Sequence, residues 1–324
     1  MPPRKQKNTI ESIRKRFQKI EDMYRMEKYP TGSLVLDLLL EGGIPKGKII
    51  ELWGAPSGGK TTLALMFARS MLEHGKSVLY IDLEDSLTRE YLERLGIEGL
   101  DVYLPDTSME AIQTIIGTDT EPGLIGVYDM IIFDSVAAIQ PDSNTFGGAI
   151  ARVISQFLLN FIDQNRKLPP AKKTTLVLIN QIRAKIGNTP FQQLTESGGY
   201  ALQHYVQLKL KVDRVKLDKE KQIHIIGVSI PKSKTCTPYT SCEIPYSYVE
   251  GRLIKGEEMF MLLNFFDMIE KKDGEYVILT DPQIKLQIKQ DHQLKKWLDK
   301  DGEEQRRVYE TLKKKVEEYA SQQG

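Results

Sequence analysis

One short motif restricts the fold of this chain more than any other part of the sequence. It reads Gly54-Ala55-Pro56-Ser57-Gly58-Gly59-Lys60-Thr61 and fits the pattern G-x-x-x-x-G-K-[ST]. That pattern is informative only between a strand and a helix, and the flanking residues predict both, a strand over 48–53 and a helix over 61–74 closed by Gly75. We therefore expect a phosphate-binding loop, with an accidental glycine-rich turn as the weaker alternative.

The motif also predicts how phosphate groups are held. Its glycines let backbone N–H groups point at phosphate oxygens, and the following helix adds its positive N-terminal end. The Lys60 ammonium would neutralise β and γ oxygens, and the Thr61 hydroxyl would bind Mg²⁺. The candidate nucleotide-binding residues of this segment are Gly54, Ser57, Gly58, Gly59, Lys60, Thr61 and Thr62.

Strand and helix patterns alternate through the central region, which predicts a parallel sheet covered by helices on both faces. Further strands are expected over 77–83, 130–133 and 174–180, and a further helix over 149–162. After Gly199, two apolar runs at 205–215 and 222–230 flank a charged turn and predict an antiparallel hairpin. The predicted fold is thus α/β with a mixed, mostly parallel central sheet.

The two ends of the sequence differ from this core. Apolar residues in 10–20 recur at helical spacing in a single stripe, so that helix needs a partner within the chain or on a neighbouring subunit. Beyond 256 we expect a helix over 259–269, a strand over 275–279 and a charged helix over 294–319. The predicted organisation is an N-terminal docking segment at 1–30, a core at 31–256 and a small α+β domain at 257–324.

Composition excludes several classes of protein. With 40% hydrophobic and 27% charged residues, the chain is neither intrinsically disordered nor fibrous. No apolar run approaches the ~18 residues of a membrane span, and the basic N-terminus has no apolar segment behind it. Two cysteines and four scattered histidines predict neither a disulfide framework nor a zinc site. We expect a soluble protein with free thiols in the cytoplasm, without a membrane partner.

Carboxylates and one amide follow the predicted strands that would adjoin the phosphate loop. Asp134 ends an apolar run and is the candidate for a second magnesium ligand. Asp82 and Glu84 lie at the end of the strand expected over 77–83, and alternation alone does not decide which of them would orient an attacking water. Gln181 follows another strand, where its amide could sense a γ-phosphate or simply cap a loop.

Five motifs in order carry a family resemblance. They are the phosphate loop and the segments at 31–37, 80–84, 134–138 and 180–187, which read TGSLVLD, YIDLE, DSVAA and NQIRAKIG. Together they resemble the bacterial RecA recombinases and their phage relatives, and the absence of an acidic tail favours the phage type. The resemblance implies a RecA-type ATPase core that uses ATP and Mg²⁺ and an N-terminal oligomerisation helix. It also implies a helical filament of identical chains that pairs single-stranded DNA with homologous double-stranded DNA and exchanges strands.

The resemblance also implies roles for single residues. Glu84 would activate the water, Asp134 would be the Walker B carboxylate, and Gln181 would report the γ-phosphate. Tyr91 matches an adenine-stacking tyrosine, although Thr88 stands where the family has an acidic residue near the base. Lys60 belongs to the catalytic set, together with two lysines that would reach ATP across the subunit interface, Lys232 and Lys234.

Two segments, 140–148 and 183–199, would face DNA in such a protein. Basic side chains suit phosphates, glycines allow close approach of the backbone, and an apolar side chain can wedge between bases. The candidate residues are Arg152, Arg183, Lys185, Ile186, Gly198 and Gly199. Judged on residue types alone, both segments would more simply be surface loops.

Two other functions stay open at this point. One is a ring-shaped hexameric DNA motor built on the same core, against which the N-terminal helix and the two lysines argue. The other is an ATP-gated recombination mediator that does not exchange strands, against which Glu84 and Gln181 argue.

Overall fold

The computed structural model describes residues 26–140, 148–184, 194–196, 199–218, 223–272, 275–279, 285–286 and 288–323. The predicted N-terminal helix lies outside these residues. The strands are β1 (Lys28–Tyr29), β2 (Ile44–Pro45), β3 (Ile49–Gly54), β4 (Val78–Asp82), β5 (Asp101–Tyr103), β6 (Met130–Asp134), β7 (Thr175–Ala184), β8 (Leu194–Glu196), β9 (Leu208–Asp218), β10 (Ile223–Ser233), β11 (Ser241–Ser247), β12 (Arg252–Leu253), β13 (Ile269–Lys272), β14 (Glu275–Ile278) and β15 (Lys285–Leu286). The helices are α1 (Leu34–Leu39), α2 (Lys60–Glu73), α3 (Arg89–Arg94), α4 (Ser108–Ile116), α5 (Ala149–Lys167), α6 (Gly199–Tyr205), α7 (Lys255–Phe265), α8 (Asp291–Leu298) and α9 (Glu303–Gln323).

A mixed sheet organises the described chain, in the order β12-β11-β10-β9-β3-β7-β6-β4-β5 with β8 paired to β7. The six strands from β9 to β5 run parallel, whereas β10, β11 and β12 are antiparallel to their neighbours. The predicted α/β class and mixed sheet are confirmed, and β9 and β10 form the predicted hairpin. The carboxyl ends of β3, β4, β6 and β7 meet at one edge, which places the candidate site there.

Hydrophobic clusters cover both faces of this sheet. On one face the helix that follows the phosphate loop, α2, contributes Leu63 and Phe67 to a cluster with Leu52 and Tyr80. On the other face α4 and α5 pack against β6 and β7, with Phe133 and Phe157 in ring contact at 5.9 Å between centroids. The sheet is therefore buried between two hydrophobic layers, which pack its strands closely together.

The C-terminal region differs in detail from its sequence-based expectation. The helix expected over 259–269 begins at Lys255 and ends at Phe265, because the chain reverses at Asp267, which has a φ of +53°. The charged helix expected over 294–319 is two helices, α8 and α9, interrupted between Leu298 and Glu303. Their apolar faces share a third cluster with Leu34 of α1, and the domain boundary at 256 stays a prediction.

No helix in the described ranges combines the length and apolar character that a membrane crossing requires.

Candidate nucleotide-binding site

The phosphate loop lies between the end of β3 and the start of α2, as its sequence predicts. Two of its glycines, Gly54 and Gly58, are packed against the backbone of strand β9 and leave no room there for a side chain. A Cβ on Gly54 would collide with the carbonyl oxygen of Val212, and one on Gly58 would lie 2.7 Å from the same atom. Gly59 caps the helix at a φ of +101°, a left-handed conformation that favours glycine. The glycines are therefore required by packing and by backbone geometry.

The Lys60 side chain folds back over this loop. Its ammonium donates to the carbonyl oxygens of Gly54 at 3.1 Å and Ala55 at 2.8 Å. Burial lowers the pKa of Lys60, while the carboxylates of Asp134, Glu84 and Asp213 act in the opposite direction. The Lys60 ammonium is thus held at the phosphate loop by two backbone carbonyl oxygens, a position from which it could bind phosphate oxygens.

Asp134 lies beside the phosphate loop and joins it to strand β4. Its carboxylate accepts hydrogen bonds from the Thr61 hydroxyl at 3.1 Å and the Tyr80 hydroxyl at 2.6 Å. Burial raises the pKa of Asp134 to about 6; the Glu84 charge adds to the rise, and the two hydroxyl hydrogen bonds oppose it. A hydroxyl and a carboxylate in contact form a suitable pair of hard oxygen ligands for Mg²⁺.

The structure distinguishes Asp82 from Glu84, the two carboxylates between which strand alternation alone does not decide. Asp82 is buried, and its carboxylate accepts the backbone N–H groups of Glu84, Ser86 and Leu87 at 3.1, 2.8 and 2.9 Å. It therefore fixes the turn after β4. Glu84 is exposed and lies beyond the strand end, facing the loop edge of the sheet.

Glu84 connects two neighbouring strand ends. One oxygen of its carboxylate accepts hydrogen bonds from the Ser135 hydroxyl at 2.5 Å and the Gln181 amide at 2.8 Å. Gln181 is the register partner of Gly54 in the sheet, so the phosphate loop, the carboxylate and the amide are brought together. Ser135 is not among the residues predicted from the sequence, although its position directly after Asp134 is a signal that could have identified it.

Tyr91 lies on the short helix α3. Thr88 is the N-cap of that helix, and its hydroxyl accepts the backbone N–H of Tyr91 at 3.2 Å. The Arg94 guanidinium lies 5.3 Å from the centre of the Tyr91 ring. Thr88 thus has a structural task that capping preferences explain.

A group of aromatic residues that was not predicted from the sequence lies beside the start of α2. The hydroxyls of Thr62 and Tyr248 are 3.1 Å apart. The Tyr248 ring lies 4.1 Å from the His224 ring and 5.1 Å from the Tyr246 ring, measured between centroids. These residues are more than 150 positions from Thr62 in sequence, and no local pattern marks their approach.

Lys232 and Lys234 lie away from the phosphate loop of their own chain. Ile226 of β10 adjoins Gly59, and Lys232 follows six residues later, about 20 Å along the strand at ~3.3 Å per residue. The Lys232 ammonium donates to the Gln203 carbonyl oxygen. Burial lowers the pKa of Lys232, and the charges of Lys234 and Lys209 add to the effect.

The candidate DNA-contacting residues are only partly described. Arg152 is exposed on α5, and Gly199 begins α6. Arg183 pairs with Thr195 in the β7–β8 ladder, two residues after Gln181 on the same strand. Lys185, Ile186 and Gly198 lie outside the described residues.

Comparisons with known proteins identify the family of the chain. The family model described as RecA N-terminal domain matches residues 5–253. Protein RecA of Helicobacter acinonychis (strain Sheeba) is 36% identical over 247 residues, which cover 72% of this chain and 69% of that protein. Protein RecA of Wolinella succinogenes is 36% identical over 277 residues, covering 80% and 75%. Protein RecA of Helicobacter hepaticus is 34% identical over 274 residues, covering 80% and 76%.

Proposed function

This chain belongs to the RecA family, and on that premise we propose that it is a DNA-dependent ATPase that assembles on single-stranded DNA and exchanges strands with a homologous duplex. The observation that carries this proposal is the contact of Glu84 with Gln181, because Gln181 continues along β7 into the hairpin with β8. Strand β7 thus carries both Gln181, which contacts Glu84, and the beginning of a candidate DNA-binding segment.

The residues fit ATP with magnesium. The glycine-rich loop and Lys60 would hold the phosphates, Thr61 and Asp134 would bind Mg²⁺, and Tyr91 would stack on the base. Magnesium, when bound, supplies positive charge that neutralises the phosphate oxygens during transfer. The contact between the Thr61 hydroxyl and the Asp134 carboxylate brings these two ligands together.

Glu84 is our candidate for the residue that orients the attacking water. Its carboxylate stays exposed at the strand edge, whereas the Asp82 carboxylate is used by backbone N–H groups. Gln181 donates to Glu84, so a shift of the amide toward a γ-phosphate would move the β7–β8 hairpin that follows it. We propose that this linkage makes hydrolysis depend on DNA.

Lys232 and Lys234 would complete the site of an adjacent subunit. The strand length that separates them from their own phosphate loop supports this role, since neither reaches it within one chain. Positive charge supplied by a neighbour would restrict hydrolysis to the assembled filament.

The candidate DNA contacts follow from the same assembly. We propose that Arg152, Arg183 and Lys185 bind phosphates, that Gly198 and Gly199 allow close approach, and that Ile186 separates bases. Because its substrate is DNA, we place the protein in the cytoplasm of a bacterium or of a phage-infected bacterium.

Steady-state ATP hydrolysis tests this function. The purified protein is assayed with Mg²⁺, with and without long single-stranded DNA, and the Lys60→Ala variant serves as the blank. We expect strong stimulation by DNA in the wild type and none in the variant. Turnover that ignores DNA would contradict the proposed function and would favour a different role for the two candidate DNA segments.

A further inference from the structure

Lys28 lies on β1 and bonds the loop that follows β10 to the turn that follows α1. Residues 234–240, here the 234–240 loop, connect β10 to β11. Residues 40–43, the 40–43 turn, connect α1 to β2. The Lys28 ammonium donates to the Leu40 and Glu41 carbonyl oxygens of the turn at 2.8 and 2.9 Å and to the Thr235 carbonyl oxygen of the loop at 3.0 Å. Three donors and three acceptors on two segments make this a complete bridge.

A second set of contacts joins the same two segments. One oxygen of the Glu41 carboxylate accepts the backbone N–H of Thr237 at 2.8 Å and its hydroxyl at 2.6 Å. Glu41 adopts a φ of +55°, a conformation that a residue with a side chain holds only where its surroundings impose it. The bonds to Lys28 and Thr237 supply that constraint. The turn and the loop are therefore fixed to each other from both sides.

The 234–240 loop begins with Lys234, directly after the strand that carries Lys232. The Lys234 backbone N–H donates to the Gln207 carbonyl oxygen at 2.8 Å, while its side chain is exposed. Farther along, Tyr239 is 88% exposed at a φ of +64°. An exposed cation and an exposed aromatic ring thus stand on a loop whose backbone is held firmly.

We propose that Lys28 is a positioning residue that fixes the 234–240 loop, so that Lys232 and Lys234 reach the nucleotide of the adjacent subunit in the correct place. This rests on the proposed function, since it needs those lysines to act across the interface. The Lys28 side chain is half-buried, and each bond lost there would leave a carbonyl group without this partner, so the three bonds together hold the geometry of the turn and the loop. Burial lowers the pKa of Lys28, while the nearby Cys236 and Glu41 act in the opposite direction.

The first test compares Lys28→Met with Lys46→Met. Lys46 is a matched control: it lies beside the same β1–β2 pair, its side chain is 9% exposed, and it pairs with Glu27 at 2.7 Å, away from the 234–240 loop. We expect Lys28→Met to lower DNA-stimulated ATP hydrolysis about tenfold or more, since displacement of about 1 Å can cost that much, and Lys46→Met to change it less than about twofold. Equal losses in both variants would overturn the proposal.

Mixed subunits make the second test decisive. Lys28→Met chains are combined with an excess of Lys60→Ala chains, which cannot hydrolyse ATP but carry an intact 234–240 loop. We expect hydrolysis per Lys28→Met chain to recover to within about threefold of wild type, because its neighbours now supply well-placed lysines. A purely structural defect within the Lys28→Met chain would not be rescued by its neighbour.

A mixture of Lys234→Ala with Lys60→Ala separates the positioning role of Lys28 from the proposal that Lys232 and Lys234 act across the subunit interface. Recovery there without recovery of Lys28→Met would overturn the role of Lys28 and leave the proposed function intact. Recovery in neither mixture would show that the lysines do not act across the interface, which overturns the role of Lys28 and the proposed role of Lys232 and Lys234, whereas the proposed function itself is tested separately by DNA-stimulated hydrolysis of the wild type. Should Lys28→Met fail to fold, Thr237→Val weakens the same bridge from an exposed position, and we expect a smaller loss that is rescued in the same way.

Discussion

Breaking a buried ion pair beneath the phosphate loop should destabilise the protein strongly. Glu51 of β3 is fully buried, and its carboxylate lies 3.3 Å from the Lys209 ammonium of β9, which is itself buried. The other carboxylate oxygen accepts the Asn180 amide of β7 at 2.7 Å. These three residues therefore tie together the three strands around the phosphate loop.

The expected magnitude follows from that geometry. Two unit charges at 3.3 Å attract by about 5 kcal/mol at an effective dielectric constant of 20. Removing one partner of a buried pair typically costs about 3 to 5 kcal/mol, because the other charge stays buried. We expect this loss for Glu51→Gln and for Lys209→Met. The double variant should lie within about 2 kcal/mol of wild type, since replacing both charges of such a pair is often nearly neutral.

Urea unfolding followed by far-ultraviolet circular dichroism measures these changes. This signal is preferred to tryptophan fluorescence because the Trp53 ring lies 4.6 Å from the Lys209 ammonium that one variant removes. The four proteins form a double-mutant cycle, and we expect a coupling free energy of at least about 3 kcal/mol. Additive losses, or a cost below about 1 kcal/mol for Glu51→Gln, would refute the reasoning.

Three further outcomes are expected. Glu84→Gln should keep nucleotide binding but slow hydrolysis at least about 100-fold, as measured with a fluorescent ATP analogue and by phosphate release; normal turnover would show that another group orients the water. Burial raises the pKa of Asp37 to about 7, so its carboxyl binds a proton in the folded state that the unfolded chain has lost. This contribution to stability is lost as pH rises from about 4 through 7. The urea midpoint of the wild type should therefore fall between pH 5 and pH 8 relative to the midpoint of Asp37→Asn, which has no such carboxyl group. A difference between the two midpoints that does not change with pH would contradict this. Thr88→Ala should cost about 1 kcal/mol and weaken ATP binding through Tyr91, whereas Thr88→Asp should retain the cap and most of the affinity, which isothermal titration and thermal unfolding would check.

The parts of the fold that follow from the sequence are those determined locally. The strand before the phosphate loop and the helix after it were expected at 48–53 and 61–74, and they lie at Ile49–Gly54 and Lys60–Glu73. Glycines, caps and apolar periodicity fix such elements over a few residues. The elements α3 and β5 are too short to be recognised in this way, whereas α4 was missed although Ala111, Ile112 and Ile115 recur at helical spacing after the Thr107 cap.

Features that depend on distant residues were not accessible from the sequence. Alternation treats Asp82 and Glu84 alike, but β4 ends at Asp82 and the chain then turns around its carboxylate. The approach of Tyr248 to Thr62 depends on the pairing of β10 with β11 and of β10 with β9. The bridge from Lys28 to Thr235 spans 207 positions, and neither residue belongs to a recognisable motif.

Strand exchange by the purified protein tests the central proposal most directly. Single-stranded DNA coated by the protein is mixed with a homologous labelled duplex or with an unrelated duplex of equal length, in the presence of ATP and Mg²⁺. We predict a displaced strand from the homologous duplex only, and none with the Lys60→Ala variant. ATP hydrolysis stimulated by DNA without any displaced strand would contradict the account and would indicate a DNA-dependent motor or mediator instead.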